Sequence, residues 1–413
     1  MAINQLKAGA VLSYISIGLN NIIGLTYTPF MLRMMGQSEY GLYSLVASVV
    51  SYLTVLDLGF ANAIVRYTAK FRAEGKVREQ YEMFGMFFLL YIGISILTLF
   101  VGSILYFNID TLFNQSMNET ELYKIRIMML LMIFNLAFTF PMSIWGAIIT
   151  AYENFVFQKL VNIIRIILNP IVMIIMLLMG YRAIGMVVVT TAFNVVTLLI
   201  NWWYCRNKLH IQVLFGQFKW GFFKEVSVYS FWIFLNVIMD RIYWSTGQFV
   251  LGMFKGAATV AVYAVAIQLQ TIYMGFSTAI SGVFLPKVTG MVTRNNSEKE
   301  ISDLFIRTGR IQYIIMAFIL TGFIVFGKYF ILIWAGPDYE QSYWIALCFF
   351  IPLTVPLIQN LGITILQARN QMKFRSIVYI LIAFVSLFIS IPMAKQYGGI
   401  GCAIGTSIAL IVG

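Results

Sequence analysis

Long apolar runs, parted by short polar segments rich in cations, set the pattern of this chain. Stretches poor in charge fall near residues 8–32, 41–65, 83–107, 127–151, 158–180, 183–204, 226–253, 257–286, 311–334, 341–367, 376–394 and 398–413. Most reach the ~20 residues that an α-helix needs to cross a bilayer. The last runs to the final residue through "TSIALIVG", with no cap or polar tail, and is expected to be a truncated span. The pattern predicts an all-α polytopic membrane protein of about twelve transmembrane helices. The start, "MAINQLKAGA", leads into an uncharged stretch without a small-residue cleavage signal. It is therefore expected to be a first transmembrane helix and not a removable signal peptide.

Polar residues inside the apolar runs recur at helical spacing. The fifth run carries Gln158, Asn162, Arg165 and Asn169, and the sixth Thr190, Asn194, Thr197 and Asn201. The seventh carries Asn236, Asp240, Tyr243, Trp244, Gly247 and Gln248, with Arg241 beside them; the first carries Ser13, Ser16 and Asn20. Intervals of three and four place such residues on one helix face. Two explanations fit, a wet lumen or hydrogen bonding between helices. Charge within hydrocarbon costs about 2.5–3.5 kcal/mol on insertion scales. Asp57, Arg165, Asp240 and Arg241 therefore need a lumen or a partner. Asp57 lies nine residues before Arg66, roughly 13 Å along a helix, too far to reach water easily. Asp240 and Arg241 point about 100° apart and do not simply neutralise each other. Seven prolines, at 29, 141, 170, 286, 352, 356 and 392, free backbone carbonyls and are hinge candidates.

The second half echoes the first. "GAIITAYENFVFQK" (146–159) aligns with "GITILQARNQMKFR" (362–375), and Gly185 of "YRAIG" falls on Gly401 of "YGGIG" at the same offset. "FMLRMMGQSEYGLYSLVA" (30–47) resembles "FVLGMFKGAATVAVYAVA" (249–266). The chain is expected to form two pseudo-symmetric six-helix lobes, residues 1–210 and 226–413, the second incomplete, joined by a cytoplasmic linker at 211–225. Six spans per repeat give both lobes one orientation, the plan of transporters with a substrate path between the halves.

Composition agrees and charge adds orientation. Of 413 residues 60% are hydrophobic and 11% charged, against about 25% charged in soluble domains. Mean hydropathy is +0.85. The net charge of +12 is better explained by cytoplasmic loops than by a nucleic-acid partner. With the N-terminus inside, Lys7 and the even loops hold nineteen basic residues and the odd loops seven, which follows the positive-inside rule. Cys205, Cys348 and Cys402 fit no metal spacing, and His210 is the single histidine. No cofactor, metal site or enzyme chemistry is expected. "GFIVFGKY" (322–329) mimics a phosphate-binding loop, but Tyr329 replaces the required Ser or Thr and the segment is an apolar span.

"GQSEYGLYSLVASVVSYLTVLDLGFANAIVRYTAKFRAEGK" (36–76), with "YGLYSL", "LDLGF" and "VRYTAK", resembles the second-span region of Wzx-type polysaccharide flippases. These belong to the multidrug/oligosaccharidyl-lipid/polysaccharide exporter superfamily. "AYENF" and "LQARNQ" are similar to that superfamily's pattern. The resemblance implies a bacterial plasma-membrane protein that flips polyprenyl-pyrophosphate-linked oligosaccharide by alternating access, coupled to H+ or Na+. Its partners would be the lipid-linked oligosaccharide, membrane lipids and a polysaccharide polymerase. Arg165 and Arg241 are then candidates for pyrophosphate or acidic sugars, with Asn162, Asn169, Asn236 and Trp244 lining the lumen. Asp57 and Asp240 are candidates for cation coupling. A multidrug exporter or a lipid II flippase of the same superfamily is the alternative. A major-facilitator transporter would carry a Gly-Asp-Arg-rich loop after span two, absent from "RYTAKFRAEGKVREQ".

Overall fold

The computed structural model describes residues 5–216, 220–294, 297–369 and 371–412. The described residues are helical almost throughout. In chain order the helices are α1 (Gln5–Met35), α2 (Gln37–Leu53), α3 (Phe60–Ala73), α4 (Val77–Phe107), the short α5 (Ile109–Phe113), α6 (Glu119–Ala151), α7 (Phe155–Leu178) and α8 (Ala183–Asn207). They continue as α9 (Trp220–Lys255), α10 (Ala257–Thr293), α11 (Glu298–Trp334), α12 (Gln341–Ile358), α13 (Asn360–Ala368) and α14 (Met372–Val412). Among the described residues nine helical segments are long and apolar enough to cross a membrane. One of them combines α2 and α3, and another, within α14, contains two spans on either side of Gly398, whose φ of 63° breaks the helix. With α1 and α9, which are long enough to span, the described helices accord with about twelve spans.

Two compact units divide the chain, Met1–Ile238 and Met239–Gly413. In the first, α6 is the central post, packed on α2, α3, α4 and α8, while α7 pairs with α1 and α8. The core joins Phe60, Ile64 and Tyr67 of α3 with Phe84, Phe87 and Tyr91 of α4 and Ile144, Trp145 and Ile148 of α6. In the second unit α10 packs on α11, α12, α13 and α14. The division falls within α9 because Phe222, Phe223 and Val226 pack into the first unit's core.

The duplication shows in local geometry within each unit. Gly36 starts α2 with φ 79° and ψ 167°, and Gly256 starts α10 with φ 86° and ψ 178°. That backbone region is open essentially to glycine alone, so both turns need the residue the sequence places there. A Cβ on Gly185 would lie 2.6 Å from that of Tyr181, and one on Gly401 would lie 2.8 Å from that of Tyr397.

The stretch after α8 is bound to its unit. Ile211 N–H donates to Cys205 O at 3.0 Å, and Leu214 N–H to Tyr81 O at 3.2 Å. Gly85 on α4 makes the crossing feasible, since a Cβ there would come 2.1 Å from Leu214 O. Backbone cannot yield as a flexible side chain does, so Gly85→Ala is expected to lower stability by about 1–3 kcal/mol, the usual cost of overpacking. A thermal unfolding midpoint equal to that of wild type would refute this.

Candidate functional site

α1 and α7 lie side by side and line an open cavity of about 680 Å³ within the first unit, within the size range of small-molecule sites. α1 contributes Ser13, Ser16, Asn20, Asn21 and Tyr27; α7 contributes Lys159, Asn162, Arg165 and Asn169. The helical spacing seen in the sequence is the cause. The polar residues of both helices fall on facing stripes, and the other face of α7 exposes Ile164, Ile167, Leu168, Ile171 and Ile175, as a lipid-facing surface would.

The lining residues differ in how far they are satisfied. Ser13 and Ser16 hydroxyls donate to Gly9 O and Leu12 O one turn back, both at 2.8 Å, and Tyr27 donates to Met186 Sδ at 3.3 Å. Arg165 has no ion-pair partner among the described residues, nor has Lys159. Asn169 Oδ1 is buried and accepts no hydrogen bond. Among the described residues no carboxylate lines the cavity. Arg165 is ten residues into α7, roughly 15 Å along it, and Lys159 roughly 9 Å from Arg165. Two cations and several amides without a counter-ion suit an anion that also bears hydroxyls.

Arg165, Asn162 and Asn169 are thus brought together, while the other sequence candidates lie elsewhere. Asp57 does not line this cavity; it accepts the hydroxyl of Tyr91 at 3.0 Å. The remaining candidates belong to the second unit, except Asn236, whose side chain lies outside the described residues. There Asp240 is exposed and accepts from Tyr379 at 3.2 Å. Arg241 is half-buried with an unpaired Nε, and Trp244 sets its ring edge-on to Phe349. In the sixth run, Asn194 donates to Asn135 Oδ1 at 2.8 Å and Thr139 Oγ1 at 2.7 Å on α6. Asn194 thus joins α8 to α6. "GFIVFGKY" lies inside the continuous helix α11, so it forms no phosphate loop.

Lys159, Asn21 and Tyr27 were missed as site residues. Lys159 stands three residues before Asn162 on the same face, and that spacing is the signal that marks it.

The fold is found in solved transporters. The lipid II flippase MurJ in an inward closed conformation superposes with a TM-score of 0.73 at 17% identity, over 98% of this chain and 85% of that one. An inward-facing multidrug-resistance MATE family transporter of the MOP superfamily gives 0.73 at 14%, over 98% and 96%. In sequence, a putative O-antigen transporter of Shigella flexneri is 21% identical over 402 residues, 95% of this chain and 91% of the relative. The family described as polysaccharide biosynthesis protein matches residues 6–292. That match covers well over half of the chain, and with the flippase-like second span it establishes that this protein belongs to the polysaccharide biosynthesis protein family.

Proposed function

We propose that this chain moves a lipid-linked oligosaccharide across the plasma membrane for surface polysaccharide assembly, by alternating access, and that the α1–α7 cavity receives the anionic head of that substrate. The observation that carries this is the cavity itself: Lys159 and Arg165 with amides and hydroxyls, and no acid among the described residues. Arginine offers a planar fork of donors that matches phosphate oxygens, and asparagine side chains match sugar hydroxyls. An organic-cation exporter would need a carboxylate at its site, which disfavours the drug-exporter alternative. The excess of basic residues on even loops supports an N-terminus on the cytoplasmic side. Asp240, exposed and accepting the hydroxyl of Tyr379, is the acid assigned to couple transport to H+ or Na+. A polysaccharide polymerase would take over the delivered unit.

Deletion of the gene in its host tests the reading. The expected result is loss of a surface polysaccharide, with lipid-linked oligosaccharide accumulating on the inner leaflet, both reversed by the wild-type gene. Unchanged surface glycan, together with new sensitivity to cationic dyes, would move the assignment to drug export.

A further inference from the structure

The second apolar stretch is not one helix. α2 ends at Leu53, Thr54–Asp57 winds one 3₁₀ turn, and α3 restarts at Phe60. Between them Leu58 and Gly59 have φ of 54° and 74°, both left-handed. Such a conformation costs a leucine roughly 1–2 kcal/mol, so surrounding contacts must hold it. A helix start within the bilayer also leaves N–H groups without intrahelical partners, and lipid supplies none.

Asp57 meets that need. Its carboxylate accepts the hydroxyl of Tyr91 at 3.0 Å and lies beside the backbone N–H groups of Gly59 and Ala61 at the start of α3. The positive end of the α3 dipole faces the same group. Tyr91 is fully buried on α4, and its hydroxyl lies near the Ser143 side chain of α6. The far end of α3 grips the turn that leads into α7. Arg72 Nη1 donates to Ala151 O at 3.0 Å, and its guanidinium lies 4.1 Å from the Tyr152 ring centroid. Tyr152 in turn accepts from Gln80 at 2.8 Å. Three residues past Tyr152 begins α7, which carries Lys159, Asn162 and Arg165.

We propose that Asp57 is a positioning residue for transport: a cap, anchored through Tyr91, that holds α3 as a separate rigid piece jointed at Leu58–Gly59 and so fixes the base of the cavity helix α7. The role in transport rests on the function proposed above; the cap itself does not. A cap needs an acceptor and not a charge, and asparagine caps about as well as aspartate.

The test uses the full chain with two readouts. One is lipid-linked oligosaccharide reaching the outer leaflet. The other is the distance between spin labels on Ala69→Cys in α3 and Leu160→Cys in α7, with the native cysteines replaced, in purified protein. Asp57→Asn is expected to retain at least half of wild-type transport and the same single distance. Asp57→Ala is expected to lose about tenfold, the scale of one hydrogen bond to a charged group, and to broaden the distance. If Asn loses as much as Ala at equal membrane levels with the distance unchanged, the charge or its proton is what matters and the cap is refuted. Wild-type behaviour of the Ala variant in both readouts refutes it as well. Should the Ala variant not accumulate, Tyr91→Phe replaces it, with broadened distance and reduced transport expected and wild-type behaviour overturning the proposal. If the wild type moves no glycan, the transport reading fails while the distances still decide the cap.

Discussion

Arg165→Ala is expected to reduce transport of lipid-linked oligosaccharide about 10- to 100-fold without destabilising the protein. The magnitude follows from the loss of one charge-assisted hydrogen bond of about 1.5–3 kcal/mol. The absence of a stability cost follows from the surroundings. Arg165 is half-buried with no ion pair among the described residues, so truncation leaves no carboxylate stranded and removes a charge that burial disfavours. A structural arginine would behave in the opposite way. Arg165→Lys should fall between, because it keeps the charge and loses the planar fork. Lys159→Ala should cost less than Arg165→Ala, since lysine acts as a point charge and not as a fork. Surface glycan and unfolding midpoint measured on the same membranes check all three. An Arg165→Ala protein with full transport would remove the cavity from the mechanism.

How much of this was legible in the sequence depends on the period of the pattern. The facing stripes of α1 and α7 were readable because three- and four-residue spacing fixes a helix face whatever the tertiary contacts are. What that spacing could not supply was the partner. The stripe of α8 looked the same as that of α7, yet Asn194 bonds α6 while Arg165 faces a cavity. The turn glycines were legible as an echo between halves, and the structure gives the reason in backbone angles at Gly36 and Gly256. The helix break at Leu58–Gly59 was hidden inside an unbroken apolar run. An apolar residue in the left-handed region leaves no compositional mark, and Asp57 beside it suggested a lumen although it sits at a helix start and accepts from Tyr91.

Glu39→Ala is expected to lower stability by about 2–3 kcal/mol, more than any other single acid replacement in the first unit. In the sequence Glu39 served only as part of "GQSEYG". In the fold it sits in the first turn of α2 with 6% of its surface exposed. It pairs with Lys124 of α6 and accepts from Ala183 N–H, the first amide of α8, at 3.2 Å. Beside it Ser38 donates to Glu121 at 2.5 Å. One carboxylate therefore ties three helices together and satisfies an orphan N–H at a helix start. Breaking a buried pair costs about 3–5 kcal/mol; Lys124 keeps 36% side-chain exposure, and rehydration of its ammonium reduces the penalty. Lys124→Ala should cost a similar amount by leaving the buried carboxylate uncompensated. The double variant should cost clearly less than the two singles added, because the second truncation removes the group that the first left unpaired. Unfolding midpoints of the four proteins in one detergent measure the coupling. Strict additivity, or single variants indistinguishable from wild type, would show that the three helices are held by apolar packing alone.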